Sequence, residues 1–299
     1  MKKNLLTCVL LLSVLFGAAQ QLPVFSLYDL HPTMHNPATA GVKGYASIGG
    51  AFRSQWSSVS GAPQTTIVFG DTYLPKVHLG LGGYLYNDVT GPTRRTGLQM
   101  AYSYIIRMQN EASFSLGIEG RLQQYSLDHS KIQQALSSND PVLAGKESQF
   151  RGDAGFGVAY THPRFQIGAS VSQLIQSKLR FTDANGAPVE ARNYRHFFAH
   201  GYYDWKVDEV TDIYPNFLAV YLPNAPFEFQ GGVRVEHNHL FWYGLSLRAR
   251  QSWMGSVGVR IKKKFNVGYS IDLYRNPVSV FINGSSAHEI MLRYDFLKK

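Results

Sequence analysis

The stretch Glu111–Asp128, EASFSLGIEGRLQQYSLD, limits what this chain can fold into more than any other part of it. From Ala112 its even positions read Ala112, Phe114, Leu116, Ile118, Gly120 and Leu122. The odd ones read Ser113, Ser115, Gly117, Glu119, Arg121 and Gln123. Successive side chains of a β-strand point to opposite faces, so the segment presents one apolar wall and one polar, charged wall. The alternation recurs along almost the whole sequence, and no helical segments remain to cover so many apolar faces. A sheet closed into a barrel with lipid outside and a polar lumen inside needs no such cover.

Strands read at Gly44–Arg53, Gln64–Tyr73, Val77–Tyr86, Thr96–Arg107, Glu111–Tyr125, Gly152–Tyr160 and Phe165–Ser172. They continue at Tyr194–Trp205, Ile213–Tyr221, Phe227–Glu236, Leu240–Arg250, Trp253–Lys262, Phe265–Tyr274 and Ala287–Phe296. The expected fold is therefore an all-β, transmembrane antiparallel barrel of about fourteen strands, an even number as single-chain outer-membrane barrels favour. Long connections (Gln55–Pro63, Asn87–Arg95, Ser126–Arg151, Gln173–Asn193, Arg275–Ser286) alternate with tight ones such as Met108–Asn110 and His237-Asn238-His239. Short periplasmic turns and longer outer loops follow that rule, which puts both termini in the periplasm.

Residues Met1–Gln20 carry Lys2 and Lys3, an apolar run Leu5–Phe16 and then Gly17-Ala18-Ala19, the layout of a secretory signal cut after Ala19. The only cysteine, Cys8, leaves with it, so the mature chain has no disulfide, thiol nucleophile or thiolate metal site. The expected organisation is a signal peptide (residues 1–19), a leader forming a plug or periplasmic strap (20–43) and a barrel (44–299). Mean hydropathy is only −0.16 because lumen polarity cancels the lipid-facing wall. The net charge of +9 falls to +7 once Lys2 and Lys3 are removed. Arg121, Arg234, Arg248, Arg260 and Arg293 fall on the polar side of strands and read as charges in a partly filled lumen. They do not form a phosphate-binding run.

Catalytic chemistry finds little to stand on. No Gly-x-Ser-x-Gly elbow occurs, and no His sits beside a Ser on a face with an acid partner two residues off. His31 with His35 and His237 with His239 lack a third metal ligand. The Asn87–Gly91 loop has too few carboxylates for calcium. Gly80-x-Gly82-Gly83 lacks the helix of a phosphate loop, and its glycines read as relief of crowding inside the barrel. His288-Glu289 reads as lumen hydrogen bonding. No enzyme, cofactor or metal is expected.

Four features occur in order: the leader with Asn36-Pro37-Ala38 and Gly41; Arg53-Ser54-Gln55-Trp56 followed by Ala62-Pro63-Gln64-Thr65; Asn87-Asp88 with Gly91; and the terminal His288-Glu289-Ile290 strand. Together they resemble the PorP/SprF family of Bacteroidetes outer-membrane proteins, from the leader to the last strand. The resemblance implies a non-enzymatic outer-membrane part of the type IX secretion and gliding machinery that binds or anchors a secreted surface protein or adhesin. It also implies contact with a periplasmic peptidoglycan-binding lipoprotein. The alternative is a passive porin or solute channel. Partner-binding candidates are Asn36, Pro37, Gly41, Arg53, Gln55, Trp56, Pro63, Thr65, Asp88 and Gly91. Arg53 and Trp56 could pair as a cation–π hot spot, although an interfacial Trp is the commoner explanation.

Overall fold

The computed structural model describes residues 22, 24–136, 145–182, 188–223, 225–276, 278–281 and 286–297. The expected signal peptide lies outside them. The strands are β1 (Ala46–Ser54), β2 (Gln64–Leu74), β3 (Leu79–Thr90), β4 (Thr93–Arg107), β5 (Ser113–Asp128), β6 (Lys146–His162), β7 (Phe165–Ser172), β8 (Lys178–Thr182) and β9 (Pro188–Arg192). They continue as β10 (His196–Tyr203), β11 (Trp205–Lys206), β12 (Thr211–Tyr221), β13 (Glu228–His237), β14 (Phe241–Arg248), β15 (Ser252–Ile261), β16 (Phe265–Tyr274) and β17 (Ser286–Phe296). Each of the fourteen expected strands corresponds to one barrel strand. All pair antiparallel, from β1 to β7, then β10, then β12 to β17. β1 meets β17 and β10 meets β12, so the ring of fourteen has no free edge. In hydrocarbon an unpaired backbone edge would have no water to bond, and closure removes it.

The side-chain parity of β5 holds in three dimensions. Leu116, Ile118 and Leu122 point outward and are exposed, while Ser113, Ser115, Glu119, Arg121 and Gln123 are buried inside. On β4, Leu98, Met100, Tyr102, Tyr104 and Ile106 extend the same outer band. The arginines at 121, 248 and 293 are buried in the lumen as expected. Adjacent residues can still divide. Glu289 is buried inside, but its neighbour His288 sits on the outer side and bonds the Tyr269 hydroxyl at 2.7 Å, so the expected lumen role falls to Glu289 alone.

One end of the barrel has tight turns, and the other has the long loops. At the turn end, Asn238-His239 and Lys262-Lys263 each take consecutive positive φ angles, as two-residue primed hairpins demand. The loop end differs from the sequence expectation. The connection read at Asn87–Arg95 shrinks to Gly91-Pro92, because Asn87 pairs with Thr96, Asp88 with Arg95 and Thr90 with Thr93. β4, β5 and β6 run 15, 16 and 17 residues, more than the roughly 9–11 that cross a bilayer, so they stand above the apolar band. The connection read at Ser126–Arg151 holds a helical turn, His129–Leu136, and that at Gln173–Asn193 holds the separate hairpin β8–β9. Strands of only five residues are too short to carry a clear period-2 signal.

Residues 22 and 24–43 run through the lumen as three short 3-10 turns, Tyr28–Leu30, Pro32–Met34 and Pro37–Thr39. Leu22 packs at the loop end with Phe198, Leu218, Val220 and Leu222, and its amide reaches His196. The leader then descends to Lys43 at the turn end and re-ascends as β1. The C-terminal strand ends at the turn end as expected, but the described start of the leader lies at the opposite end. An apolar cluster at the loop end holds it there.

Charge placed on the outer wall should destabilise the barrel. Leu116→Arg or Ile118→Arg should each cost about 2–4 kcal/mol near the midplane, read as a lower urea midpoint in lipid vesicles. Gln124→Arg, above the apolar band on the same face of β5, should cost less than 1 kcal/mol.

Candidate functional site

The lumen is filled in two layers, each built differently. In the turn-end half, the wall is glycine. Asn36-Pro37-Ala38-Thr39-Ala40-Gly41 lies against Gly80 and Gly82 of β3, Gly117 of β5, Gly157 of β6 and Gly168 of β7. A Cβ at Gly80 would stand 2.0 Å from the Ala40 carbonyl oxygen, at Gly117 2.2 Å from the Ala38 nitrogen, and at Gly157 2.0 Å from Asn36 Oδ1. Only glycine lets the two backbones approach this closely. Polar bonds pin the seat. Asn36 Oδ1 accepts from the Ala38 amide at 2.9 Å, capping the third 3-10 turn, and Asn36 Nδ2 donates to the Val158 carbonyl at 2.9 Å. The Ser103 hydroxyl donates to the Ala40 carbonyl at 2.6 Å, and the Gly41 amide donates to Asp71 at 3.1 Å. His31 stacks on Phe69 with ring centroids 3.7 Å apart, and His35 lies 5.5 Å from Phe198. Both rings act as packing elements of the plug.

In the loop-end half, charge does the holding. Arg53 of β1 binds Asp272 of β16 at 2.6 Å and Glu289 of β17 at 3.1 Å, and Arg248 of β14 reaches Asp272 at 3.4 Å. Ser26 of the leader sits in the middle. Its amide donates to Glu289 at 2.7 Å, its hydroxyl donates to Asp272 at 2.7 Å, and Arg53 donates to that hydroxyl at 2.7 Å. The Leu27 amide completes the Glu289 carboxylate at 3.0 Å. A buried carboxylate accepting two backbone N–H groups and a guanidinium is satisfied, which makes its burial tolerable. Lower down, Arg234 pairs with Asp29 at 3.0 Å and lies 4.4 Å over Tyr214. Arg293 donates to the Leu30 carbonyl. A second lumen network ties Glu119 to Gln99 at 2.6 Å, Arg121 at 2.9 Å and Ser172 at 2.7 Å.

Two cavities flank the plug. At the turn end a space of about 360 Å³ is lined by Asp29, Lys43, Asp71, Tyr202, Arg260 and Arg293, among others. At the loop end one of about 310 Å³ is lined by Asp88, Arg94, Arg95, Tyr125 and Phe181, among others. Between them lie the leader and a hydrogen-bonded layer in which Gln123 bonds Tyr86 and Tyr125, and Asn193 bonds Tyr125 at 2.9 Å.

The ten candidate partner residues fall into separate places. Asn36, Pro37 and Gly41 are buried against the glycine wall, and Arg53 is 1% exposed inside the ion network. Here these four hold the leader against the barrel wall and are buried. Arg53 makes no contact with Trp56 of the cation–π kind, because β1 turns its guanidinium into the lumen, where Asp272 and Glu289 claim it. The remaining six gather at the loop-end rim, where Pro63 and Thr65 are buried and Gln55, Trp56, Asp88 and Gly91 are part-exposed. Gln55 donates its amide to the Pro63 carbonyl at 2.9 Å, Thr65 donates to Asp88 at 2.6 Å, and Gly91 donates to the Gly61 carbonyl at 2.8 Å. Trp56 is half-buried among them, with φ at +51°. Sequence reasoning placed Arg248 and Glu119 on the polar side of their strands but missed the network that joins Ser26 to Asp272. The inward parity of Asp272 on its strand was the available signal, but Ser26 and Arg53 lie 246 and 219 residues from it and leave no local mark.

A sequence model of the family described as type IX secretion system membrane protein PorP/SprF matches residues 17–294. No curated protein matches the chain. Among solved structures, the fold resembles the toluene transporter TbuX of Ralstonia pickettii, at 10% identity and a TM-score of 0.52, covering 88% of this chain and 92% of that one. It also resembles a TodX ΔS2S3 mutant, a monoaromatic hydrocarbon channel, at 10% identity and a TM-score of 0.50, covering 88% and 93%.

Removing Arg53 leaves two buried carboxylates without their main counter-charge, which costs roughly 3–5 kcal/mol for a broken buried pair. Arg53→Leu should lower the unfolding midpoint accordingly. Gly117→Val should act on the leader first. Its added atoms meet the Ala38 backbone, so limited proteolysis should cut the leader in the variant before any loss of heat-modifiable migration, whereas wild type resists.

Proposed function

Because the chain belongs to the PorP/SprF family of type IX secretion system membrane proteins, an outer-membrane barrel, we propose that it recognises a secreted surface protein or adhesin and holds or escorts it at the cell surface. No chemistry is performed on the client. The observation that carries this reading is the filled lumen. The leader occupies it from Leu22 at the loop end to Lys43 at the turn end, tied down by the Ser26 ion network and the glycine seat. A barrel so filled has its recognition surfaces at its two ends. The loop end, with Gln55, Trp56, Pro63, Thr65, Asp88 and Gly91 at the rim, is the outer face in this reading. The turn end faces the periplasm and the peptidoglycan-binding lipoprotein of the machinery. Aromatic anchors dominate protein–protein binding energy, and Trp56 is a half-buried rim aromatic set in a loop instead of on the lipid wall.

Three measurements test the reading. Cysteine introduced at Ser60 or Ser148 should react with an impermeant maleimide on intact cells, and cysteine at Asn110 or Asn238 should not; the reverse pattern would invert the barrel. Trp56→Ala should leave the barrel in the membrane while lowering surface display of the client several-fold. The purified barrel should show little conductance in planar bilayers. A large steady conductance in wild type, with normal surface display in a deletion strain, would establish a solute channel instead.

A further inference from the structure

The hairpin β8–β9 carries more positive charge on its lumen-distant face than its own carboxylate balances. Lys178 stands directly opposite Arg192, and Arg180 directly opposite Glu190. Glu190 is shared, binding Arg180 at 2.8 Å and Lys178 at 3.3 Å, and these two cations hold its carboxyl below the ordinary value. Among the described residues, no carboxylate lies within ion-pair distance of Arg192 or of the neighbouring Arg195. Like charges directly opposite on a strand pair repel, so Lys178 and Arg192 leave a place where an anion would relieve strain. The inner face is different: Leu179 is fully buried, and Phe181 lines the loop-end cavity. The hairpin is thus two-sided.

Its height on the barrel is set by bonds to the wall. The Leu174 amide donates to the Ala154 carbonyl at 3.0 Å, the Ser177 hydroxyl to the Gly152 carbonyl at 2.7 Å, and Arg151 to the Lys178 carbonyl at 2.5 Å. Phe156 and Phe197 belong to the outer apolar band just below. Arg195 is two residues beyond Phe197 toward the loop end, about 7 Å by strand rise, and donates to the Leu174 carbonyl at 3.3 Å. Beside these cations, Ile175 is 64% exposed and Phe150 62% exposed. Exposed apolar side chains interleaved above the lipid band with four cations and one carboxylate match a ligand that carries both acyl chain and phosphate.

We infer that Lys178, Arg192 and Arg195, with Ile175 and Phe150, bind the phosphorylated headgroup and upper acyl chain of an outer-leaflet glycolipid of the lipid A class. The exposed apolar pair beside the cations favours a lipid over an acidic protein surface. The inference rests on the outward placement of the loop end, which the maleimide labelling above tests by itself.

The test uses the full chain in detergent, with radiolabelled monophosphorylated lipid A as the probe. Wild type should retain it. The triple variant Lys178→Gln, Arg192→Gln, Arg195→Gln should bind at least tenfold more weakly while keeping heat-modifiable migration. It spares Arg180, so the Glu190 pair survives. The control triple Arg94→Gln, Lys131→Gln, Arg250→Gln removes equal charge from elsewhere at the loop end and should bind as wild type does. Lipid A stripped of phosphate should bind at least tenfold more weakly than the probe, and equimolar inorganic phosphate should not displace the probe. Equal loss in both triples, equal binding of dephosphorylated lipid A, or displacement by free phosphate would overturn the assignment. So would displacement of the probe by an acidic protein in place of lipid.

Discussion

Hydrogen bonding of the backbone governs this molecule, because a chain in hydrocarbon has no water with which to satisfy an open edge. The ladder therefore runs unbroken around the ring and closes where β10 meets β12. Closure of fourteen strands encloses a lumen too wide for wall side chains alone to fill, since about eight strands already mark that limit. The leader is the response to that width. Its 3-10 turns carry the backbone through the lumen with their polar groups bonded to wall side chains.

Two kinds of physics hold the leader, and they act at different depths. Near the turn end the fit is steric: glycines on β3, β5, β6 and β7 admit a backbone where any side chain would collide. Near the loop end the fit is electrostatic: Arg53, Asp272 and Glu289 surround Ser26 in a water-poor interior. A steric seat is insensitive to salt and unforgiving of substitution. A buried ion network is stable only while each charge keeps its partner. The leader therefore fills the lumen as a scaffold, with cavities at both ends.

Legibility follows the range of the interaction. The strands, the outer wall and the lumen arginines could be read because strand parity repeats every two residues and lipid punishes the wrong face. Neighbouring strand residues were harder. His288 and Glu289 were read together, yet parity alone sends one out and one in. The motif residues Asn36, Pro37, Gly41 and Arg53 stood out as candidates, but as partner contacts. Their true neighbours, Gly80, Gly117, Gly157, Asp272 and Glu289, are distant in sequence and close only once the barrel shuts.

Sequence alone determined the class of fold, the number of strands, the polar lumen and the presence of a separate leader, because each follows from local alternation and from turn residues. The tertiary structure decided that the leader fills the barrel and begins at the loop end, that β4 to β6 stand above the lipid band, and that β8–β9 turns a basic face away from the lumen. Those features depend on which strands become neighbours. In a closed sheet that is settled by ring closure and packing, which no short window of residues contains.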